Sequence, residues 1–172
     1  MFDNSEREIR DQRVRQWMRE YGNAIKRMCY IYLCDANLVE DALQETFFKA
    51  WKSFDRFEKR NGCSEKTWLT QIAINTCRSY RRTAWFRRVD TSKAIENITI
   101  ISNSTEPEDR ELLMEIIRLP DIYKAVILLH YYQNMTQQEI SGVLGISRSM
   151  VNYQLHKALK MLKIALGEEE LR

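Results

Sequence analysis

The stretch MTQQEISGVLGISRSMVNYQL (residues 135–155) restricts the possible fold more than any other part of the chain. Thr136 is a good helix N-cap, and Glu139 three residues later completes a capping box. Gly145 can adopt the positive φ that ends a helix, and Ser147 can cap the next helix. Because only three residues separate the two helices, they must cross steeply, as in a helix-turn-helix. Apolar pairs at hydrophobic-staple positions support both helices: Met135 with Ile140, and Ile146 with Val151.

Turn-forming residues are scarce in the chain. Among 172 residues there are five Gly and two Pro, whereas strands joined by tight turns generally need more. Apolar residues make up 44% of the chain, enough for a packed core, and charged residues make up 30%. We therefore expect a globular, all-α protein.

No segment predicts a membrane span. The longest apolar run, Ala125–Tyr132, is interrupted by His130 and is far shorter than the roughly 20 residues that a transmembrane helix needs. The first 13 residues carry charges of both signs without an apolar segment, so no signal peptide is expected. These features predict a cytoplasmic protein.

The cysteines and histidines form no recognisable site. Cys29, Cys34, Cys63 and Cys77 include no Cys-x-x-Cys pair, and only two histidines are present. A zinc site needs four convergent ligands, usually in closely spaced pairs. We therefore expect reduced thiols, no metal and no cofactor. No glycine-rich phosphate loop or nucleophile–base motif is present, so the sequence gives no support for an enzyme.

Helical spacing of apolar residues runs from about residue 6 to residue 82. Within it, Asn37 followed by Glu40 predicts a capped helix start. Residues 83–106 have no helical period and are rich in Ser, Thr and Asn, which predicts a linker. A short strand over the β-branched patch Ile95–Ile101 is the alternative.

The two prolines predict where later helices start. Pro107 and Pro120 suit first-turn positions, which gives helices at about 107–118 and 120–133. Together with the helix-turn-helix, they make a second domain of four helices. The expected organisation is a first domain over residues 1–88, a flexible linker over 89–106 and a second domain over 107–172.

The second helix of the helix-turn-helix has two distinct faces. Its inward face is apolar and carries Val151, Leu155, Ala158, Leu159 and Leu162. Its outward face carries Arg148, Ser149, Asn152, Tyr153, His156, Lys160 and Lys163. Hydrogen-bonding groups in the first turns and cations in the later turns suit a helix that reads base edges and lies near phosphates. DNA binding is the prediction, and a plain packing unit is the alternative.

A second basic surface is predicted at the end of the first domain. It combines cations with aromatic residues: Lys59, Arg60, Lys66, Arg78, Arg81, Arg82, Arg87 and Arg88, with Trp68, Tyr80, Trp85 and Phe86. Such a surface can follow a nucleic-acid backbone and stack unpaired bases. Residues 1–88 hold 18 Lys and Arg against 12 Asp and Glu, which also favours a polyanionic partner. In the alternative, Trp68 and Leu69 belong to the core and the basic residues form a solvated face.

Three motifs resemble those of the small two-domain sigma factors of bacterial RNA polymerase, the extracytoplasmic function (ECF) group. They are VEDALQETFFKAWKSF (39–54), SEKTWLTQIAINTCRSYRR (64–82) and LPDIYKAVILLHYYQNMTQQEISGVLGISRSMVNYQLHKAL (119–159). Their order and spacing also match, and the resemblance covers nearly all of residues 20–165. It implies a subunit that binds core RNA polymerase and directs promoter recognition and transcription initiation, in an envelope or stress response.

The resemblance also implies roles for individual residues. Asp41, Gln44, Glu45 and Phe48 match the segment that binds core polymerase, and the first three share one helix face. The residues implied in binding the melted minus-10 element are Arg60, Ser64, Lys66, Thr67, Trp68, Asn75, Arg78, Arg81 and Arg82. Those implied in binding the duplex minus-35 element are Arg148, Ser149, Asn152, Tyr153, His156, Lys157 and Lys160.

The chain departs from the family pattern in both DNA-binding segments. Family members often carry an aromatic residue where this chain has Glu65, in the loop that captures a flipped base. Asn152 and Gln154 replace two cations that are usual after the turn, and such amides can pair with adenine edges. Fewer phosphate contacts lead to the hypothesis that the protein binds its minus-35 element weakly without polymerase.

Two further questions stay open at this point. A free-standing helix-turn-helix regulator would explain residues 135–163 but would leave the acidic helix and the basic aromatic loop without a role. The N-terminal extension of about 20 residues either packs through Ile9 and Trp17 or contacts polymerase.

The resemblance also implies an anti-sigma partner, which in the family is commonly membrane-anchored.

Overall fold

A computed structural model of the chain describes residues 3–58, 62–83 and 107–167, and the predicted all-α fold is confirmed for them, with no strand in these ranges. The first four helices are α1 (Asn4–Leu33), α2 (Ala36–Lys52), α3 (Phe54–Glu58) and α4 (Glu65–Arg81). The others are α5 (Pro107–Arg118), α6 (Asp121–Ile127), α7 (Gln137–Leu144) and α8 (Arg148–Ala165), with a π-helical turn at Leu128–Tyr132 after α6. The predicted linker over 89–106, with its alternative strand, lies outside the described residues.

Helices α1, α2 and α4 form the first domain around one apolar core. Trp17 of α1 is fully buried, and its ring lies 5.6 Å from Trp68 and 5.8 Å from Phe57, measured between centroids. The predicted helix start at Asn37 is two residues late, because Asp35 is the N-cap of α2 and accepts from the backbone N–H groups of Asn37 and Leu38. An aspartate side chain in that position satisfies amides that the first helical turn leaves unpaired.

Helix α1 ends at an unusual residue. Cys34 follows the helix in the left-handed conformation, with φ of 59°, and its backbone N–H bonds to the carbonyl of Tyr30. The Cys34 side chain is buried, and this burial raises the pKa of its thiol. The turn into α2 therefore places a protonated thiol at the edge of the first domain.

The second domain contains the predicted helix-turn-helix. The Thr136 hydroxyl accepts from the backbone N–H of Glu139, while the Glu139 carboxylate accepts from the backbone N–H of Thr136, which completes the capping box. Gly145 ends α7 with φ of 66°, and Ser147 caps α8 through the N–H of Met150. These are the caps and the turn that the sequence predicts.

The helix predicted for residues 120–133 changes character midway. Pro120 is the N-cap rather than the first helical residue, and α6 passes at Leu128 into the π-helical turn. The turn is closed by Gln133, whose backbone N–H bonds to the carbonyl of Leu128, and by His130, whose Nδ1 lies 2.9 Å from the carbonyl oxygen of Met135. A π-helical turn adds a residue within a helix and re-aims the side chains that follow it.

The two domains contact each other along α1 and α4. The Arg81 guanidinium donates two hydrogen bonds to the carboxylate of Asp121, at 2.6 and 2.9 Å. Gln133 donates to the carbonyl of Ala24 at 3.4 Å. Each of these bonds joins one domain to the other, so the described helices form one packed arrangement.

A buried cation lies in the same domain contact. Lys124 of α6 is 1% exposed, and its ammonium lies 5.9 Å from the centre of the Tyr32 ring. Burial lowers the pKa of Lys124, because taking an ammonium out of water disfavours its charged form. The ammonium of Lys124 therefore favours separation of the two domains, because separation returns it to water.

Candidate nucleic-acid and partner interfaces

The acidic face of α2 is presented to solvent. Asp41, Gln44 and Phe48 are exposed, and Phe48 keeps 54% of its surface accessible. Glu45 is half-buried, because its carboxylate accepts a hydrogen bond of 2.7 Å from the Tyr80 hydroxyl and forms an ion pair with Lys49. The bond to Lys49, followed by that to Tyr80, lowers the pKa of Glu45, so this acid is fixed and ionised.

Phe48 differs from the other large apolar residues of α2. Phe47 next to it is buried, whereas Phe48 points outward, with the Lys52 ammonium 4.4 Å from the centre of its ring. An exposed aromatic ring beside fixed carboxylates provides an apolar contact and a charged one on the same face. That combination suits a protein partner with a basic surface.

The start of α4 is organised by its N-cap. Ser64 accepts from the backbone N–H of Thr67 at 3.1 Å and donates to the Thr67 hydroxyl at 2.9 Å. The Thr67 hydroxyl also lies 3.4 Å from a carboxylate oxygen of Glu139, on α7 of the second domain. Ser64 is exposed, and Lys66 and Thr67 are half-buried. Arg60, also predicted here, lies outside the described residues.

Trp68 belongs to the core, as the alternative interpretation of the sequence states for Trp68 and Leu69. Trp68 is 5% exposed, its ring centroid lies 5.0 Å from that of Phe57, and Leu69 is fully buried. No face of the Trp68 ring is available for stacking a base in this arrangement. Trp68 can therefore contribute to a nucleic-acid surface only by supporting the residues around it.

The remaining predicted residues of α4 fall into two groups. Asn75 and Arg82 are exposed. Arg78 and Arg81 are half-buried and, with Arg82, line a cleft of about 220 Å³ between α4 and the second domain. Because Arg81 is bonded to Asp121 in that cleft, this part of the basic surface is engaged within the protein.

The outward face of α8 is free of the rest of the protein over most of its length. All seven residues predicted for duplex recognition are exposed: Arg148, Ser149, Asn152, Tyr153, His156, Lys157 and Lys160. Their contacts are with neighbours on the same surface. Gln137 donates to the Asn152 side chain at 3.2 Å, and the Lys157 ammonium lies 5.5 and 5.8 Å from the ring centres of Tyr123 and Tyr153.

Sequence reasoning missed the residues that join the elements together. Arg10, in the N-terminal extension, is 4% exposed and donates to the Asp55 carboxylate at 2.6 Å. Lys124 and Asp121 were not predicted to take part in a domain contact. An arginine at the spacing of Val14 and Trp17 on α1 was the available signal for Arg10, but periodicity analysis counts only apolar residues.

The described residues contain no cluster of three or more His, Cys, Asp or Glu side chains that could hold a metal ion. In the same ranges, no helix is long and apolar enough to cross a membrane.

Comparison with known proteins assigns the family. The family model for Sigma-70 region 2 matches residues 17–87, and that for Sigma-70, region 4 matches residues 109–162. The chain is 30% identical over 162 residues to the ECF RNA polymerase sigma factor SigW of Bacillus subtilis, covering 86% of each chain. The chain belongs to the ECF sigma factors. It is also 31% identical over 159 residues to the RNA polymerase sigma factor YlaC of the same organism, covering 87% of each chain.

Two solved structures share the fold of this sigma factor. One is CnrH in complex with the cytosolic domain of CnrY, with a TM-score of 0.60, 22% identity and coverage of 93% of this chain and 91% of the other. The second is the sigma factor RpoE of Bartonella quintana in complex with the anti-sigma factor NepR, with a TM-score of 0.68 and 17% identity. Coverage there is 89% of this chain and 96% of the other.

Family membership settles the class of function. The protein is a transcription initiation factor that binds core RNA polymerase and promoter DNA, and it is not an enzyme. A free-standing helix-turn-helix regulator is excluded, because the region 2 match accounts for the first domain that such a regulator would leave unexplained.

Proposed function

We propose that three faces of the protein divide the work of a sigma factor. The face of α2 with Asp41, Gln44, Glu45 and Phe48 binds core polymerase. Helix α4 and the loop before it bind the melted minus-10 element, and α8 reads the duplex minus-35 element. The proposed domains are residues 1–88 and 107–172, joined by a linker over 89–106. The observation that carries this proposal is the exposure of all seven predicted residues along α8, opposite its buried apolar stripe.

The ionised and hydrogen-bonded state of Glu45 supports the proposed polymerase contact. Glu45 is ionised and held by Tyr80 and Lys49, so little side-chain entropy is lost when it meets a cation on the partner. Phe48 supplies an apolar anchor at the end of the same face. A rigid acid next to an exposed ring is typical of the few residues that dominate a protein interface.

Co-elution with bacterial core RNA polymerase on a sizing column tests this contact. The wild-type protein should co-elute, and a variant with Asp41, Gln44 and Glu45 changed to Ala should not. Glu40→Ala is the matched control, because Glu40 is an exposed carboxylate of α2 paired with Lys26 and lies outside the proposed face. Equal co-elution of the triple variant and the control would contradict the assignment of this face.

The minus-10 surface requires the two domains to separate. Thr67 contacts Glu139 and Arg81 is bonded to Asp121, so both side chains are unavailable to a phosphate in the packed arrangement. We propose that binding to polymerase and promoter replaces these contacts. The buried Lys124 favours separation, since its ammonium regains water when α6 leaves α1.

The proposed cellular setting is a cytoplasmic sigma factor held inactive by an anti-sigma partner, in an envelope or stress response. The support is that both similar solved structures are complexes, one named as containing an anti-sigma factor. Cross-linking in the native cells followed by purification should yield such a partner. That partner, once purified, should prevent co-elution with core polymerase; a partner that leaves co-elution intact would contradict the proposal.

A further inference from the structure

The N-terminal part of α1 lies before the family match and is firmly attached to the first domain. The region 2 match begins at residue 17, whereas α1 begins at Asn4. Arg10 is buried against Asp55, and the Asp11 carboxylate accepts from the Trp51 indole at 2.8 Å. These bonds join the extension to the end of α2 and to α3. The extension packs through Arg10, Val14 and Trp17, whereas the predicted Ile9 is 59% exposed.

One further contact of the extension reaches the start of α4. The Arg13 guanidinium forms an ion pair with the carboxylate of Glu65. Glu65 is the first residue of α4 and follows the N-cap Ser64. Arg13 is itself held by Gln16, which accepts at 3.4 Å and in turn donates to Glu20 at 2.8 Å. The contacts with Gln16 therefore hold the Arg13 guanidinium from the side of α1, and Arg13 in turn holds the Glu65 carboxylate.

The geometry of the pair leaves one acceptor available. Arg13 binds Oε1 of Glu65, and the other oxygen, Oε2, has no hydrogen bond within the described residues. The Glu65 side chain is 18% exposed, so part of it is accessible next to the loop that leads into α4. Burial, followed by the charges of Glu65 and Glu20, raises the pKa of Tyr21, a neighbouring residue of α1. Beside the loop that leads into α4, Oε2 of Glu65 is therefore the carboxylate oxygen that Arg13 leaves unbonded.

A carboxylate oxygen in this position has a clear chemical preference. It accepts hydrogen bonds and cannot donate them, so it favours a base with an exocyclic amino group, as in carboxylate contacts to cytosine N4. Thymine has no such amino group. An unpaired carboxylate would also repel nearby phosphates, whereas the adjacent Arg13 compensates its charge.

We propose that Arg13 is a positioning residue for base selection in the minus-10 element: by holding Glu65, it presents Oε2 to an amino-bearing unpaired base. This inference rests on the proposed function, in which the loop before α4 captures that base. The extension is then part of the promoter reader rather than a polymerase contact. The pair provides selectivity at the position where family members often have an aromatic ring.

The test uses the full chain assembled with core polymerase. Single-stranded oligonucleotides with six randomised positions are incubated with the complex, and the bound fraction is sequenced. The wild-type complex should enrich an amino-bearing base (cytosine, adenine or guanine) over thymine at one position, by about tenfold for one good base contact. Arg13→Ala and Glu65→Gln should each reduce that enrichment to about twofold or less, without changing the preferences at the other positions.

Two further variants keep the result interpretable. Arg15→Ala is the matched control, since Arg15 is an exposed cation on the same turn of α1 and has no ion pair within the described residues. The exchange of both residues, Arg13→Glu with Glu65→Arg, keeps opposite charges together and should keep the fold. It should nevertheless lose the preference for amino-bearing bases, which a purely structural role of the pair would not predict.

The outcomes separate the inference from the function on which it rests. If the wild-type complex enriches no base at any position, the minus-10 assignment of the loop fails. If it does enrich bases but Arg13→Ala, Glu65→Gln and the exchanged pair all retain the same preference, the role of Arg13 is overturned. If thermal unfolding shows that Arg13→Ala has lost its fold, Arg13→Met takes its place, since it keeps a long side chain without the charge and should lose the preference. Arg13→Lys should keep both the ion pair and the preference.

Discussion

Helices α4 and α8 carry the two predicted DNA surfaces, and the structure leaves these surfaces in different states. The outward residues of α8 are exposed over the whole helix. On α4, by contrast, Arg81 is bonded to Asp121 and Thr67 lies against Glu139. In the proposed function, the α8 surface can therefore bind duplex DNA directly, whereas the α4 surface becomes complete only when the second domain moves. This difference suits their substrates, because the minus-10 element must be melted before its bases can be read.

The largest expected effect is on the surface that is already exposed. Changing both Asn152 and Tyr153 to Ala should weaken duplex binding by about thirtyfold or more, at about 1–3 kcal/mol for each of the two lost base contacts. Duplexes selected from a random pool by the wild-type holoenzyme provide the assay, with fluorescence anisotropy as the readout. Single-strand binding through α4 should stay unchanged. Equal losses on both substrates would show that the two surfaces are not separate.

The buried Lys124 lies in the contact through which the second domain covers the α4 surface. Replacing Lys124 with Met should stabilise the packed arrangement by about 1 kcal/mol or more, since an apolar side chain of similar length avoids the cost of burying an ammonium. Calorimetric unfolding should show a higher Tm, and single-strand binding by the free protein should fall. Lys26→Met, at an exposed position of α1, is the control.

The wild-type protein and the Lys124→Met variant should also differ in how their stability depends on pH. Burial lowers the folded-state pKa of Lys124 below its ordinary value of 10.5, so the separated state binds more protons between these two pKa values. The packed wild-type protein therefore gains stability as the pH rises through that window. The stability difference between Lys124→Met and wild type should shrink from pH 7 to pH 10. A difference that is constant with pH would mean that Lys124 keeps its ordinary pKa in the domain contact.

Helix α7, whose Glu139 contacts Thr67 of α4, is stabilised by its N-cap Thr136. Thr136→Ala removes the N-cap of α7 and should lower the free energy of unfolding of the second domain by about 1 kcal/mol. The capping bonds also lower the pKa of Glu139, so its contribution is complete above about pH 4.5 and is lost as the pH falls through the lowered value. Ser149→Ala, at an exposed position of α8, should change the stability little.

The smallest expected effect comes from the ion pair that covers α4. Asp121→Asn weakens a half-exposed pair, which in general contributes about 1 kcal/mol or less. Single-strand binding by the free protein should rise by up to about fivefold, and duplex binding should not change. Asp109→Asn is the control, because Asp109 lies in the first turn of α5 as Asp121 lies in that of α6. A fall in single-strand binding would mean that the pair supports the α4 surface instead of covering it.

Local signals explain how much of the fold the sequence predicted. The capping box at Thr136 and the glycine turn at Gly145 depend on residues within a few positions, and both were predicted correctly. The error at Asn37 is also local, since Asp35 two residues earlier is an equally good cap and the pattern does not choose between them. Helix starts and ends thus follow from short-range chemistry, to within a residue or two.

Contacts between distant residues were not predictable in the same way. Arg81 and Asp121 are 40 positions apart, and Arg13 and Glu65 are 52 apart. In the sequence each of them is one charged residue among many, and charge alone does not specify a partner. Burial of Lys124 goes against the usual preference of lysine for the surface, so composition argues for the opposite outcome. The candidate site residues were therefore proposed from the resemblance, and their mutual contacts became visible only in the structure.

Cys34, which follows α1 in the left-handed backbone conformation, offers a thiol whose alkylation can report separation of the two domains. The Cys34 side chain is 4% exposed, and we expect it to gain access to solvent when the second domain separates as proposed. Cys29 and Cys77 are buried in the first domain, and only Cys63 needs to be replaced by Ser. The rate at which iodoacetamide alkylates Cys34 would then report how often the thiol becomes exposed in the free protein, in an assay that needs neither polymerase nor DNA.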